Sequence, residues 1–243
     1  MNFEKINQII GCAYTFAGSL AVRKVLTKDS AKHHSSQTSD FSYFFKGNKY
    51  SVVGTKEFLR LRKHPLTEKP ADHWPEPEIA MLLGKNHKIK CYCLANDFTA
   101  IGIEKEGRSK KFDGTYYGKY WKGSCSLGPK FVPAKKIDSE KLKVGLKIER
   151  NRKTIYDNKF SVKNRLRDFK LLPNKIIEYR KTLEKPLPKS KRIKVTENGL
   201  LPAGTVILTG AITVVPPKCF SLAGDIITVY SPQLGKLKNK IIK

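Results

Sequence analysis

Two glutamates and one aspartate have the residue types and the spacing of a metal site. Glu76 and Glu78 are separated by one proline and open the apolar run 79–83. In an extended chain residues i and i+2 point to one face, so these carboxylates would lie side by side and repel each other unless a cation lies between them. Asp97 follows the next apolar run, and a hairpin would return it beside Glu76. Three converging carboxylates form an all-oxygen site suited to Mg²⁺, Mn²⁺ or Ca²⁺. Without Asp97, the pair Glu76 and Glu78 would instead favour a solvated strand end with two exposed acids.

The elements that would position these acids are mostly strands. The apolar runs 79–83 and 89–95 flank the polar segment Gly84–Lys88, which indicates a hairpin. Only the segment Ser161–Leu183 has helical spacing, and Pro173 must interrupt that helix or begin a second one. The run Gly123–Ala134 is predicted to be a loop followed by a strand, and further strands are predicted at 142–149, 154–156, 205–208, 212–215 and 226–230. The pattern predicts an α+β fold dominated by β-structure.

The composition excludes several classes of protein. The chain has 243 residues, of which 40% are hydrophobic and spread throughout, so intrinsic disorder is not expected. No apolar run approaches the roughly 18 residues of a membrane helix. The residues Met1–Lys5 contain an acid and do not resemble a secretory signal, so we expect a cytoplasmic protein. Five cysteines without paired C-x-x-C spacing do not favour disulfides or zinc.

The net charge of +27 raises the question of a nucleic-acid partner. Lys exceeds Arg about fourfold, whereas Arg is the residue expected where phosphates or bases are recognised in a planar, bidentate manner. The lysines also occur in nearly every segment of the sequence. We therefore predict no nucleic-acid partner and no membrane partner.

A set of motifs along residues 41–243 resembles the fumarylacetoacetate hydrolase superfamily. The motifs are Glu76-Pro77-Glu78, Asn96-Asp97, Lys119 followed by Leu127-Gly128-Pro129, Leu208-Thr209-Gly210, and Gly224-Asp225. The resemblance implies a mixed β-roll with few helices over residues 41–243, preceded by a short N-terminal segment 1–40 that contains a mobile polar loop. It also implies a homo-oligomer.

The resemblance assigns roles to individual residues. Glu76, Glu78 and Asp97 would bind a divalent metal, most often Mg²⁺, and Lys119 would be catalytic. Contacts to the substrate are implied for Thr209, for Ser19 and for Arg23.

Within the superfamily, three segments are most similar to dehydratases of 2-keto-3-deoxy sugar acids such as 2-keto-3-deoxy-D-arabinonate. They are Phe44-Phe45-Lys46-Gly47, Lys119–Pro129 and Val214–Phe220. A 2-oxo acid chelates a divalent ion through its carboxylate and ketone oxygens, and the ion stabilises the enolate that forms when a C3 proton leaves. Loss of the C4 hydroxyl completes the dehydration. Lys119 could be the base, or it could remain charged and hold the enolate oxygen.

Four positions depart from the superfamily pattern and leave other functions open. Ser42 replaces an acid, Ile101 and Gly102 replace an Arg-Asp pair, and Ala211 replaces a threonine. A first alternative is hydrolysis or decarboxylation of acylpyruvates, with His33 and His34 of the polar loop activating water. A second is an inactive relative that binds nucleic acid.

Overall fold

The computed structural model describes residues 3–13, 15–16, 41–109, 113–183 and 192–243. Within them the chain forms twelve strands and three α-helices, together with short 3₁₀ turns. The strands are β1 Gln8–Ala13, β2 Ser42–Gly47, β3 Val52–Val53, β4 Phe58–Arg60, β5 Pro77–Leu83, β6 Ile89–Asp97, β7 Cys125–Pro133, β8 Lys143–Arg150, β9 Lys153–Ser161, β10 Thr205–Leu208, β11 Ile226–Ser231 and β12 Gly235–Ile242. The helices are α1 Ile101–Ser109, α2 Gly114–Lys119 and α3 Leu172–Leu183. The fold is therefore dominated by β-structure, as predicted.

The strands form two mixed sheets. The first has seven strands in the order β2-β1-β10-β5-β6-β7-β3, and the second has five in the order β4-β12-β11-β8-β9. Most neighbours are antiparallel, but β1 with β10, β3 with β7 and β12 with β4 are parallel. The N-terminal strand β1 lies inside the first sheet, between β2 and β10.

The larger hydrophobic core contains side chains from both sheets and from helix α3. Strand β8 shows why the second sheet has one buried face. Val144, Leu146 and Ile148 are fully buried, while Lys147, between the last two of them, and Glu149, after Ile148, are partly exposed. This alternation follows from the period of two along a strand, and it leaves the other face of the five-stranded sheet in contact with water.

The hairpin predicted at Gly84–Lys88 is confirmed, and it is the element that positions the acids. Strands β5 and β6 pair from Leu83 with Ile89 to Pro77 with Asn96. The backbone N–H of Asp97 then donates to the carbonyl of Glu76 at 3.0 Å. The two acidic ends of the hairpin therefore lie next to each other.

The helical prediction was only half right. Ser161 ends strand β9, and the helix begins at Leu172, where Pro173 occupies the first turn and its missing N–H costs no hydrogen bond. Helices α1 and α2 were not predicted. No helix in the described ranges is long and apolar enough to cross a membrane.

The strand predicted at Ile212–Val215 is also wrong, because this segment has no strand assignment. Its first N–H, that of Ile212, donates to the carbonyl of Pro77 at 3.1 Å, and two prolines follow at 216 and 217. Proline has no N–H to donate to a sheet, so the segment crosses the end of β5 as a loop.

Candidate metal centre

Three buried carboxylates converge at the open end of the β5–β6 hairpin. Glu76, Glu78 and Asp97 each offer one oxygen, and these oxygens lie within 4.8 Å of one another. Their side chains are no more than 1% exposed. The sequence prediction that these residues come together is confirmed.

Lys119, the last residue of α2, donates to three oxygens at this site. Its Nζ lies 2.6 Å from Glu76 Oε2, 2.8 Å from Asp97 Oδ2 and 2.6 Å from Thr99 Oγ1. An ammonium group has three N–H donors, so all three are used. The helix that carries Lys119 is fixed by the hydrogen bond from the N–H of Ala100 to the carbonyl of Gly118 at 2.9 Å.

A second buried lysine, to which no sequence pattern assigns a role, completes the cluster. Lys46 of β2 is 0% exposed, and its Nζ lies 2.5 Å from Asp97 Oδ1 and 3.0 Å from the carbonyl of Phe98. Its ammonium group also lies 5.3 Å from the centre of the Trp121 ring. The Phe44–Gly47 segment resembles dehydratases in sequence. A sequence this rich in lysine, however, does not show which of its lysines is buried.

Neighbouring groups fix the orientation of Glu76. The indole N–H of Trp74 donates to Glu76 Oε1 at 2.9 Å, and the backbone N–H of Glu76 donates to Asn96 Oδ1 at 3.1 Å. Each carboxylate oxygen has two acceptor sites, so these bonds and the bond to Lys119 leave lone pairs for a cation.

Among the described residues, no lysine donates a hydrogen bond to Glu78. Its Oε2 accepts a hydrogen bond from the backbone N–H of Gly210 at 2.7 Å. Burial, followed by the negative charges of Asp97 and Glu76, raises the pKa of Glu78 well above its ordinary value. A cation bound among the three carboxylates would offset the repulsion between their negative charges.

The pKa of Asp97 is displaced in the opposite direction. Burial alone would raise it, but the charges and hydrogen bonds of Lys119 and Lys46 outweigh burial and hold the pKa of Asp97 well below its ordinary value. Three carboxylates and two ammonium groups leave one negative charge. A divalent ion would leave one positive charge, which suits an anionic ligand such as a carboxylic acid. The residues present therefore fit a hard divalent cation.

Comparison with known proteins agrees with this geometry. The family model for the C-terminal region of fumarylacetoacetate (FAA) hydrolase matches residues 12–242. The chain belongs to the fumarylacetoacetate hydrolase family. The family expected from the sequence motifs is thereby confirmed.

A curated relative is the 2-dehydro-3-deoxy-D-arabinonate dehydratase of Saccharolobus solfataricus. It is 27% identical over 204 residues, which are 82% of this chain and 58% of the relative. The chain thus spans less than two thirds of the length of that relative.

Solved structures of 2-keto-3-deoxy-D-arabinonate dehydratase share the fold. The apo form superimposes with a TM-score of 0.75 at 21% identity, covering 98% of this chain and 74% of the other. A complex with magnesium and 2,5-dioxopentanoate gives a TM-score of 0.73 at 21% identity, with the same coverage.

In this member of the fumarylacetoacetate hydrolase family, Phe44 forms a wall beside the cluster. The Lys119 ammonium group lies 5.1 Å from the centre of the Phe44 ring. The ring also packs against Gly11 of β1, where a Cβ atom would lie only 2.1 Å from Phe44 Cζ. Only glycine at position 11 therefore allows the ring to remain there.

Of the expected substrate contacts, the structure describes Thr209. It follows β10, its backbone N–H donates to the carbonyl of Ile79 at 3.0 Å, and its buried hydroxyl has no hydrogen-bond partner among the described residues. The hydroxyl of Thr15 is in the same situation. Ser19 and Arg23 lie outside the described residues, as do His33 and His34.

The Gly224-Asp225 motif of the family has a structural role here. Both carboxylate oxygens of Asp225 accept from Arg150, Oδ1 from Nε at 2.9 Å and Oδ2 from Nη2 at 2.8 Å. Arg150 also donates to the carbonyl of Phe220 at 2.6 Å, and Asp225 accepts from the N–H of Leu222 at 2.9 Å. These hydrogen bonds from Arg150 connect strand β8 to the loop that precedes β11.

The positions that depart from the family pattern lie around the site. Ser42 is the first residue of β2 and pairs with Ala13 of β1. Ile101 and Gly102 begin helix α1, where the N–H of Gly102 donates to the carbonyl of Asp72 at 3.3 Å. Ala211 is buried after β10.

Proposed function

We propose that this protein is a metal-dependent hydro-lyase that dehydrates a 2-keto-3-deoxy sugar acid, in the breakdown of pentose sugar acids. The observation that carries the proposal is the buried cluster of Glu76, Glu78 and Asp97, with Lys119 bonded to two of its members. Similarity to proteins named as dehydratases of 2-keto-3-deoxy-D-arabinonate supports this choice of substrate.

The metal would be held by Glu76, Glu78 and Asp97. A divalent ion such as Mg²⁺ held there would supply Lewis-acid stabilisation of the negative charge that develops on a 2-oxo acid when the C3 proton leaves. Lys46 and Lys119 hold Asp97 from its two oxygens, so that this carboxylate keeps one orientation. The preorganised cluster then has little reorganisation to undergo during the reaction.

Lys119 is best suited to act as a fixed positive charge at the reacting atoms. Its three N–H donors are all bonded, to Glu76, Asp97 and Thr99, which leaves no lone pair to take a proton. In this role its positive charge would stabilise the negative charge that develops nearby, while the C3 proton and the C4 hydroxyl group leave the substrate and together form one molecule of water. Phe44 covers one side of the ammonium group and excludes water from it.

The test is a turnover assay with 2-keto-3-deoxy-D-arabinonate, in which the release of 2,5-dioxopentanoate is measured with Mg²⁺, with Mn²⁺ and after chelation. We expect activity only with metal, and a loss of about 100- to 1,000-fold in Lys119→Met, the size typical for removal of one electrostatic contact to the transition state. Glu78→Gln should lose metal binding and turnover together. Turnover that persists in Glu78→Gln would contradict the proposal. Release of pyruvate from an acylpyruvate, without dehydration, would favour the hydrolase alternative.

A further inference from the structure

The outer face of the five-stranded sheet carries an unusual concentration of lysines. The register places three rows across this face: Lys236–Tyr230–Gly145–Lys159, Lys238–Thr228–Lys147–Asp157, and Phe58–Lys240–Ile226–Glu149. The lysines come from three separate strands, which is why they are scattered in the sequence. An even spread of lysines along the sequence therefore does not give an even spread of charge over the folded protein.

Most of the positive charge on this face is not neutralised. Of the two acids, Glu149 forms an ion pair with Lys147 at 3.0 Å and Asp157 accepts a hydrogen bond from Tyr230 at 2.6 Å. Lys236, Lys238 and Lys240 alternate along β12, all exposed, and none forms an ion pair with an acid in the described part of the chain. Lys236 and Lys238 line a groove of about 720 Å³, together with Lys147 and Lys159, and Lys240 continues the row of positive charges along β12.

Two aromatic side chains flank this row. The ring of Tyr230 packs against Gly145, where a Cβ atom would be 2.1 Å from Tyr230 Cζ, and its hydroxyl donates a hydrogen bond to Asp157. The Lys159 ammonium group lies 5.9 Å from the centre of the same ring. Phe58 of β4, opposite Lys240, is 49% exposed. Each ring can offer a π-face to a flat ligand.

We propose that this face binds single-stranded nucleic acid. A positively charged groove that follows the phosphates, combined with aromatic rings on which bases stack, is the arrangement that recognises single strands without sequence preference. Lysine serves this purpose well, because it neutralises a phosphate as a point charge and does not need to read a base. A second copy of this chain is disfavoured, because a symmetric contact would place lysines against lysines. The proposal is independent of the dehydratase function, since the face lies on the other sheet from the carboxylate cluster.

The experiment uses the full-length protein and a fluorescein-labelled oligothymidylate of about 12 nucleotides, with binding followed by fluorescence anisotropy from about 50 to about 200 mM salt. The triple variant Lys236→Gln/Lys238→Gln/Lys240→Gln should bind at least tenfold more weakly at low salt. Its salt slope should fall by about 2, because each phosphate contact on a single strand contributes about 0.7. Tyr230→Leu should weaken binding about tenfold, whereas Tyr230→Phe, which keeps the ring, should bind nearly as wild type.

The matched control removes the same charge elsewhere. Lys85→Gln/Lys88→Gln/Lys90→Gln changes three exposed lysines of the β5–β6 hairpin, on the other sheet. Binding that falls equally in both triple variants would mean that only total charge matters, and the proposal would be wrong. It would also be overturned if wild type failed to bind at low salt, or if it bound a duplex as tightly as the single strand.

Discussion

The ammonium group of Lys46 lies 2.5 Å from Asp97 Oδ1, and both side chains are 0% exposed. Removal of one partner of a buried ion pair leaves a charge that water cannot reach. We therefore expect Lys46→Met to lower the free energy of unfolding at neutral pH by about 3 kcal/mol, measured by urea denaturation. The loss should be largest without metal, because a bound cation stabilises the native state.

An exposed lysine provides the control for this measurement. Lys236→Met should change the free energy of unfolding by no more than about 0.5 kcal/mol, since its side chain is solvated and has no ion pair with a described residue. Equal losses in the two variants would show that the Lys46 pair contributes nothing specific.

Glu78→Gln should change stability and metal binding in opposite directions. The raised pKa of Glu78 means that its charged form is unfavourable in the folded, metal-free protein. The neutral amide can still accept the hydrogen bond from Gly210, so the metal-free variant should melt about 3 °C higher than wild type at neutral pH. Titration with Mn²⁺ should release no heat, and Mg²⁺ should no longer raise Tm. Glu149→Gln, on the other sheet, should bind metal as wild type does.

Gly11→Ala should displace the Phe44 ring from its position near Lys119. The added methyl group would overlap the ring, and overpacking of this kind costs about 1–3 kcal/mol. We expect lower stability and lower turnover in Gly11→Ala, and much smaller further losses when alanine is introduced at position 11 of a Phe44→Ala protein. A double-mutant cycle on unfolding and on kcat would measure the coupling. Losses that are simply additive would argue against this contact.

Asp225→Asn should weaken the fold without affecting the metal centre. Arg150 donates two charge-assisted hydrogen bonds to the carboxylate of Asp225, and the amide of an asparagine at this position can accept only one of them. We expect a loss of about 2 kcal/mol in the free energy of unfolding and an unchanged Kd for Mn²⁺. A large loss of metal affinity would instead connect this motif to the site.

His73 should make the protein less stable as the pH falls from about 6.5 to 4. Its Nε2 accepts from the N–H of Arg62 at 2.9 Å, and its Nδ1 donates to the carbonyl of Ala71 at 2.7 Å, which requires the neutral ring. Burial, helped by the charges of Arg62 and Lys46 and opposed by the bond to Ala71, lowers the pKa of His73 to about 4. Between these pH values the unfolded chain binds a proton that the folded chain does not, so about 3 kcal/mol of stability is lost.

His73→Gln tests this assignment, because glutamine can make the same two hydrogen bonds and does not titrate. Urea denaturation of both proteins at pH values from about 4 to 7 should show a flatter dependence in the variant. If the free energy of unfolding depended on pH as steeply in the variant as in wild type, groups other than His73 would be responsible for the loss of stability in acid.

The convergence of the three acids could be predicted because they are close together in sequence and obey the simplest rule of strand geometry. Glu76 and Glu78 share a face by alternation, and the hairpin at Gly84–Lys88 returns the chain to Asp97. Lys119 came only from family resemblance, since no local pattern distinguishes it from other lysines.

Lys46 and the backbone of Gly210 could not be predicted as part of the site. They approach it through strands β2 and β10, and their contacts with Asp97 and Glu78 depend on the order of strands in the sheet, which no local pattern encodes. Helices α1 and α2 were missed because both are short and bury part of their surface against each other, so tertiary contact outweighs their weak helical signal.

The position of the acids at the open end of one hairpin also bears on the order in which the protein folds. Glu76 and Asp97 meet through a loop of about 20 residues, whereas Lys46 and Gly210 must be brought from distant parts of the chain. Contacts of short sequence separation form fastest, because less chain entropy is lost in closing the loop. The three acids are therefore expected to converge before Lys46 and Gly210 reach them, and a divalent cation in the refolding buffer should accelerate folding by relieving the mutual repulsion of the acids at that stage.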